Sequence, residues 1–260
     1  VAARYSFRGI SRQGRESRVL GVLFSSCLDI QARRETGQDP FLKMLKAIIF
    51  DFDGVICESV DAKVEAFRRL FESYPQHLPR IMEYHIRNGG ISRYEKFKVI
   101  YRDFFKKELS EAESKRLGKQ FADYCYQMVI DAPLVKGAQK FLDEHHKKLY
   151  FFIASGTPHE EMVSIIKAKK LEKYFKTVYG SPTSKHDIVR KILAENRLLP
   201  ADVIFLGDSI NDYEWAKLAG IKFLGRVRKG DRDPFKGTGA DAVVENLEEF
   251  SGWLKRKKLI

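Results

Sequence analysis

A chain of 260 residues is long enough for one core domain and a smaller companion, and its hydrophobic share of 44% is that of an ordinary globular protein. No run approaches the roughly 18 apolar residues of a membrane-spanning helix, and three scattered cysteines (Cys27, Cys57, Cys125) exclude a disulfide scaffold and fit a reducing cytoplasm. The net charge of +12 invites a nucleic-acid reading, but the basic residues are dispersed apart from Lys255–Lys258, without zinc-finger spacing or an RNA-recognition signature, so a basic surface that steers a phosphorylated substrate inward is the simpler account.

Residues 1–43 differ from the rest. They carry eight basic against four acidic side chains, are rich in Ser, Arg and Gly, and show no sustained helical or strand period. Their one apolar stretch, Val19 to Phe24, is too short and poorly flanked for a secretory segment. The segment reads either as an organelle transit leader or, more simply, as an extension outside the folded protein, since Met44 sits just before the first strand.

From Met44 onward, apolar runs alternate with helical patterns. Lys46–Phe50 reads as a buried strand, and Asp51-Phe52-Asp53-Gly54-Val55 follows it. Carboxylates at i and i+2 project to one side of an extended chain and repel unless a cation separates them or one is protonated; the plainer alternative is an Asp-Gly turn. From Ser59 to Ala132 only amphipathic helix is expected. Val64, Phe67 and Phe71 share one face, Phe97, Ile100, Tyr101, Phe104 and Phe105 another, and Leu117, Phe121, Tyr124, Cys125 and Met128 a third. Within it Asn88-Gly89-Gly90-Ile91-Ser92-Arg93 interrupts two helical stretches. Such a break places Asn88, Arg93 or Lys96 over a site, or is a plain connection with surface charges.

Leu149–Ala154 is the next strand, followed by Ser155-Gly156-Thr157 and a helix from about His159 to Lys170. A hydroxyl and a glycine there can present oxygen and N–H groups to a phosphate, or Thr157 can simply cap the helix. Thr177–Tyr179 is a short strand. Lys185 opens a helix through Glu195, an unfavourable place for a cation unless it faces an anion. Val203–Leu206 is a strand whose end carries Gly207-Asp208-Ser209-Ile210-Asn211-Asp212. Asp212 returns one helical turn after Asp208 to make a hard-oxygen site suited to Mg²⁺, or else Asp208 or Ser209 is an N-cap. Ile221–Leu224 and Ala242–Val244 complete the strands. Strands apolar on both faces and separated by helices predict an α/β fold, a doubly wound parallel sheet that binds ligand beyond its strand ends.

In this order, the motifs at Asp51/Asp53, Ser155, Lys185 and Asp208/Asp212 resemble those of the haloacid dehalogenase superfamily over roughly Met44 to Ile260. The helical insert resembles that superfamily's C1 cap, as in relatives of phosphoglycolate phosphatase and β-phosphoglucomutase, and Glu58-Ser59 is typical of the group. The resemblance implies a Rossmann-like core of residues 44–58 and 133–260, with a cap of 59–132. It implies that Asp51 attacks phosphorus, that Asp53 protonates the leaving oxygen and then activates water, and that Ser155, Gly156 and Lys185 hold the phosphoryl oxygens. Asp51, Asp208, Asp212 and the Asp53 carbonyl would hold Mg²⁺. Asp53 favours phosphate esters, because dehalogenating and phosphonate-cleaving members lack an acid there. The expected activity is hydrolysis of a small phosphorylated metabolite, phosphoglycolate or a sugar phosphate. A phosphomutase is the enzymatic rival, and an anion- or nucleic-acid-binding protein the non-enzymatic one. No residue pattern fixes the substrate or the oligomeric state.

Overall fold

The structure, a computed structural model, describes residues 45–260; the expectations for the leader lie outside them. Six strands form one parallel sheet: β1 (Ala47–Phe50), β2 (Tyr150–Pro158), β3 (Thr177–Ser181), β4 (Val203–Gly207), β5 (Lys222–Arg226) and β6 (Ala242–Val244), in the order β3-β2-β1-β4-β5-β6. The alternation of β1 explains why both faces are covered. Ile48 and Phe50 join one apolar cluster, Ala47 and Ile49 the other, and all four are fully buried. Helices α5 (Ala138–His145), α6 (His159–Ala168) and α9 (Leu247–Arg256) supply the first cluster, through Phe141, Met162 and Phe250. Helices α7 (Lys185–Glu195) and α8 (Ile210–Leu218) supply the second, through Ile188, Ile192 and Ala216.

Between β1 and α5 the chain leaves the sheet for α1 (Val60–Phe71), α2 (Leu78–Arg87), α3 (Arg93–Val99, prolonged by a π-helical turn through Phe105) and α4 (Glu111–Asp131). Phe67, Phe71, Phe97 and Phe121 meet at their centre. Val64 faces a cavity instead. β2 runs past the strand end expected at Ala154, through Ser155-Gly156-Thr157, and Pro158 still pairs with Ser181 on β3. Thr157 therefore does not cap α6, whose N-cap is Pro158. No helix among the described residues is long and apolar enough to cross a membrane.

Strand β1 lies between β2 and β4, and successive connections run to opposite sides of it. The crevice at the carboxyl ends of β1 and β4 is thus where the strand order reverses, the favoured ligand position in open α/β sheets. Asp51 and Asp208 follow those two strands.

Candidate active site

The Asp51 amide donates to the Leu206 carbonyl at 2.9 Å, which fixes the end of β1 against β4. Asp51, Asp208 and Asp212 each present a carboxylate oxygen within 4.8 Å of the others. Gly54, at φ +73°, turns the chain immediately beside them, and a Cβ there would stand 2.1 Å from Asp208 Oδ2. Capping and site geometry coincide in α8. The Ser209 hydroxyl accepts from the Asp212 amide at 3.2 Å and donates to Asp212 Oδ2 at 2.7 Å, leaving Asp212 Oδ1 to face the crevice.

Lys185, the first residue of α7, reaches into this trio. Its ammonium lies 2.7 Å from both Asp51 Oδ2 and Asp212 Oδ1. The anions that make the helix start tolerable for a cation are thus the protein's own carboxylates. Burial pushes the Asp51 carboxyl up to about 7, with Lys185 opposing and Asp212 and Asp53 adding to the rise. Burial, then Asp51 and Asp212, push Asp208 well above the carboxylate range. Burial disfavours the Lys185 charge, but Asp212 and Asp51 outweigh it and keep the amine protonated. Once ionised, three acids facing one ammonium carry uncompensated negative charge, and their hard oxygen donors could hold a divalent cation.

The carboxylate of Asp53 stands outside that trio. It accepts from Ser59 Oγ at 2.6 Å and Thr157 Oγ1 at 3.3 Å, and forms a short ion pair with Lys63, which also donates to Thr157 Oγ1 at 2.6 Å. Burial would raise its pKa, but the charge and hydrogen bond of Lys63, with Ser59, leave it below the ordinary range. Two acids two residues apart are therefore held in opposite directions. Lys63 has no signal of its own in the sequence, since a lysine on an amphipathic helix is ordinarily solvated. Ser155 is buried beside them, its Oγ accepting from the Thr157 amide at 3.1 Å.

The Gly89-Gly90 break packs onto this crevice. A Cβ on Gly156 would lie 2.4 Å from the Gly90 carbonyl oxygen, one on Gly90 would lie 2.9 Å from Ser209 Oγ, and Asn211 Nδ2 donates to the Gly89 carbonyl at 2.9 Å. A cavity of about 150 Å³ lies between the insert and the strand ends. Asp51, Asp53 and Asp208 border it, as do Val64, Phe67 and Phe121, with Lys63, Arg93 and Lys96 among the basic side chains. The three residues expected over the site fare differently. Asn88 does not line the cavity; its side-chain amide donates to the Tyr84 carbonyl at 2.8 Å and finishes α2. Arg93 lines it, but its guanidinium is committed to Glu161 Oε1 at 2.5 Å, the Gly118 carbonyl at 3.2 Å and the face of Phe121. That geometry makes it an anchor between α3 and α6. Lys96 lines the cavity with its amine near His85.

Comparison with known proteins agrees with this architecture. The chain is 28% identical over 211 residues to a phosphorylated carbohydrates phosphatase of Thermotoga maritima, covering 78% of this chain and 96% of the relative. It is 24% identical over 225 residues to phosphoglycolate phosphatase 1 of Pseudomonas aeruginosa, covering 82% and 81%. A crystal structure of a hydrolase from Pseudomonas syringae shares the fold, with a TM-score of 0.69 at 21% identity over 81% of this chain and 98% of that one. Residues 48–226, from within β1 to the end of β5, match the family model described as haloacid dehalogenase-like hydrolase, and the chain belongs to that family.

Proposed function

We propose that this protein is a Mg²⁺-dependent phosphatase that hydrolyses a small phosphorylated metabolite through an aspartyl-phosphate on Asp51, with residues 59–132 as a cap over a core of 44–58 and 133–260. The observation that carries the reading is the convergence of Asp51, Asp208 and Asp212 around one crevice, with Asp53 held apart by Lys63. Asp51 attacks phosphorus in line, forming a P–O bond as the ester P–O bond breaks. Lys185 and Ser155 bind the phosphoryl oxygens and offset their charge. Asp53 relays to the leaving oxygen the proton that Lys63 shares with it in their ion pair. Asp53 then accepts a proton from the water that attacks the aspartyl-phosphate, releasing phosphate and the free Asp51 carboxylate. Asp51, Asp208, Asp212 and the Asp53 carbonyl would hold Mg²⁺, which supplies the positive charge that lets an anionic nucleophile meet an anionic ester.

The names of the two relatives support a phosphorylated carbohydrate or phosphoglycolate as substrate. The test is release of inorganic phosphate from a panel of phosphorylated metabolites, with and without chelator, in the parent and in Asp51→Asn. We expect chelator-sensitive hydrolysis and at least a hundredfold loss in the variant, a barrier rise of about 2.7 kcal/mol. Full activity in Asp51→Asn would end the proposal. Isomerised sugar phosphate in place of free phosphate would favour a phosphomutase using the same two aspartates.

A further inference from the structure

The basic side chains around the cavity differ in what neutralises them. Lys63 is paired with Asp53, Arg93 with Glu161, and Lys185 with Asp51 and Asp212. Lys96, in contrast, has only His85 as a polar partner among the described residues: its amine lies 3.1 Å from the His85 carbonyl and 3.4 Å from His85 Nδ1. Burial, with Lys96 and Lys63 nearby, holds His85 neutral, so it accepts a hydrogen bond but supplies no counter-charge. Lys96 is 4% exposed, which also denies it bulk water. An ammonium has three donors, His85 offers two acceptors, and a buried cation without an anion is costly. Burial and the nearby Lys63 accordingly draw the Lys96 amine down to about 7, with Asp208, which makes no ion pair with it, opposing only in part.

We infer that Lys96 is the specificity-determining residue of this site, selecting short phosphate esters that carry a carboxylate at the end remote from the phosphoryl group. The inference rests on the phosphatase reading above and adds the substrate class. A carboxylate supplies both the missing counter-charge and the missing acceptor. The cavity, about 150 Å³, matches volumes that elsewhere admit a molecule the size of benzene, so the ligand is compact. Hydroxyls of a sugar ring turned toward Val64, Phe67 and Phe121 would lack partners, whereas a short acid would place one polar group at Lys96 and the other at Asp51.

The experiment compares two matched esters, 2-phosphoglycolate and 2-hydroxyethyl phosphate, which differ in a carboxylate against a hydroxymethyl group. Turnover and calorimetric binding are measured for the parent, Lys96→Met and Lys96→Gln, with thermal unfolding as the check on folding. We expect the parent to favour the acid ester at least tenfold in kcat/KM. Both variants should bring the two esters within threefold of each other, mainly by raising KM for the acid. Turnover without preference in the parent, or a preference that survives in a folded variant, overturns the inference and leaves the phosphatase reading intact. If neither ester is turned over but the acid binds at least tenfold more tightly through Lys96, the assignment of Lys96 stands, and the metabolite panel with Asp51→Asn decides the phosphatase reading separately. Equal binding of both esters with no turnover overturns the assignment of Lys96.

Discussion

Replacing Gly54 by alanine separates folding from site geometry. The residue sits at φ +73°, so any side chain meets the left-handed penalty of about 1–2 kcal/mol. The added Cβ would also stand 2.1 Å from Asp208 Oδ2 and 2.8 Å from Val60 Cγ2. The turn cannot easily yield, because the Gly54 amide donates to Cys57 at 2.7 Å and its carbonyl accepts from Arg226 at 3.1 Å. The Asp208 carboxylate must therefore retreat by over ~1 Å, a misplacement that near reacting groups costs about a hundredfold in rate. Gly230 is the matched control: its φ is +89° and a Cβ there meets nothing within 4 Å. We predict that Gly230→Ala loses about 1–2 kcal/mol in urea unfolding and Gly54→Ala at least that much, since its Cβ also crowds Val60. Only Gly54→Ala should lose about a hundredfold in kcat/KM and require more Mg²⁺ for half-maximal activity. Full activity in Gly54→Ala, or equal losses of kcat/KM in both variants, would refute the placement of Asp208 in the working site.

Two further outcomes follow from the ionisable groups. Arg93→Ala leaves Glu161 without its partner in a setting where the two side chains are 5% and 13% exposed, and should cost about 3 kcal/mol or more. An Arg93→Met/Glu161→Met double variant should recover most of that loss, and a single-variant cost below about 1 kcal/mol in urea unfolding would contradict a buried anchor. Asp51 and Asp208 are held above the carboxylate range, so the folded chain keeps protons that the unfolded chain releases near pH 4. The Asp51 contribution is complete below that pH and fades as pH rises through about 7, and Asp208 acts in the same direction. The unfolding midpoint of the metal-free protein should fall over that span, while the increment on adding Mg²⁺ should grow, since the ion needs the ionised carboxylates. An Asp208→Asn variant retaining the full parental fall in thermal scans would show that Asp208 takes no part.

Much of this was legible because it is written locally. An apolar run such as Lys46–Phe50 or Val203–Leu206 declares a strand buried on both faces, and polar residues directly after it fall at the mouth of the sheet whatever the rest of the chain does. The helices of the insert were legible for the same reason, since a 3.6-residue period survives without knowledge of the partner, although Val64 turns to the cavity and residues 100–105 wind as a π-helix. What escaped depends on distant residues. Thr157 stands where a helix cap belongs, yet its hydroxyl serves Lys63 and Asp53, 94 and 104 positions away. Arg93 and Lys96 look alike in sequence, and only the position of Glu161 across the interface makes one a strut and leaves the other without an anion. The end of β2 was missed because its last pairing, Pro158 with Ser181, is made by the neighbouring strand.

The spacing of those two cations on α3 has a consequence for how the protein can diversify. Residues three apart on a helix share a face, so 93 and 96 are neighbours on one rigid rod. The first is clamped to Glu161 on α6, and the second lines the cavity. If Lys96 selects the substrate as inferred above, mounting and selection are carried by different side chains. Exchange at position 96 alters the charge the incoming molecule meets without unseating the helix that presents it, so new preferences can arise by single replacements on an unchanged frame.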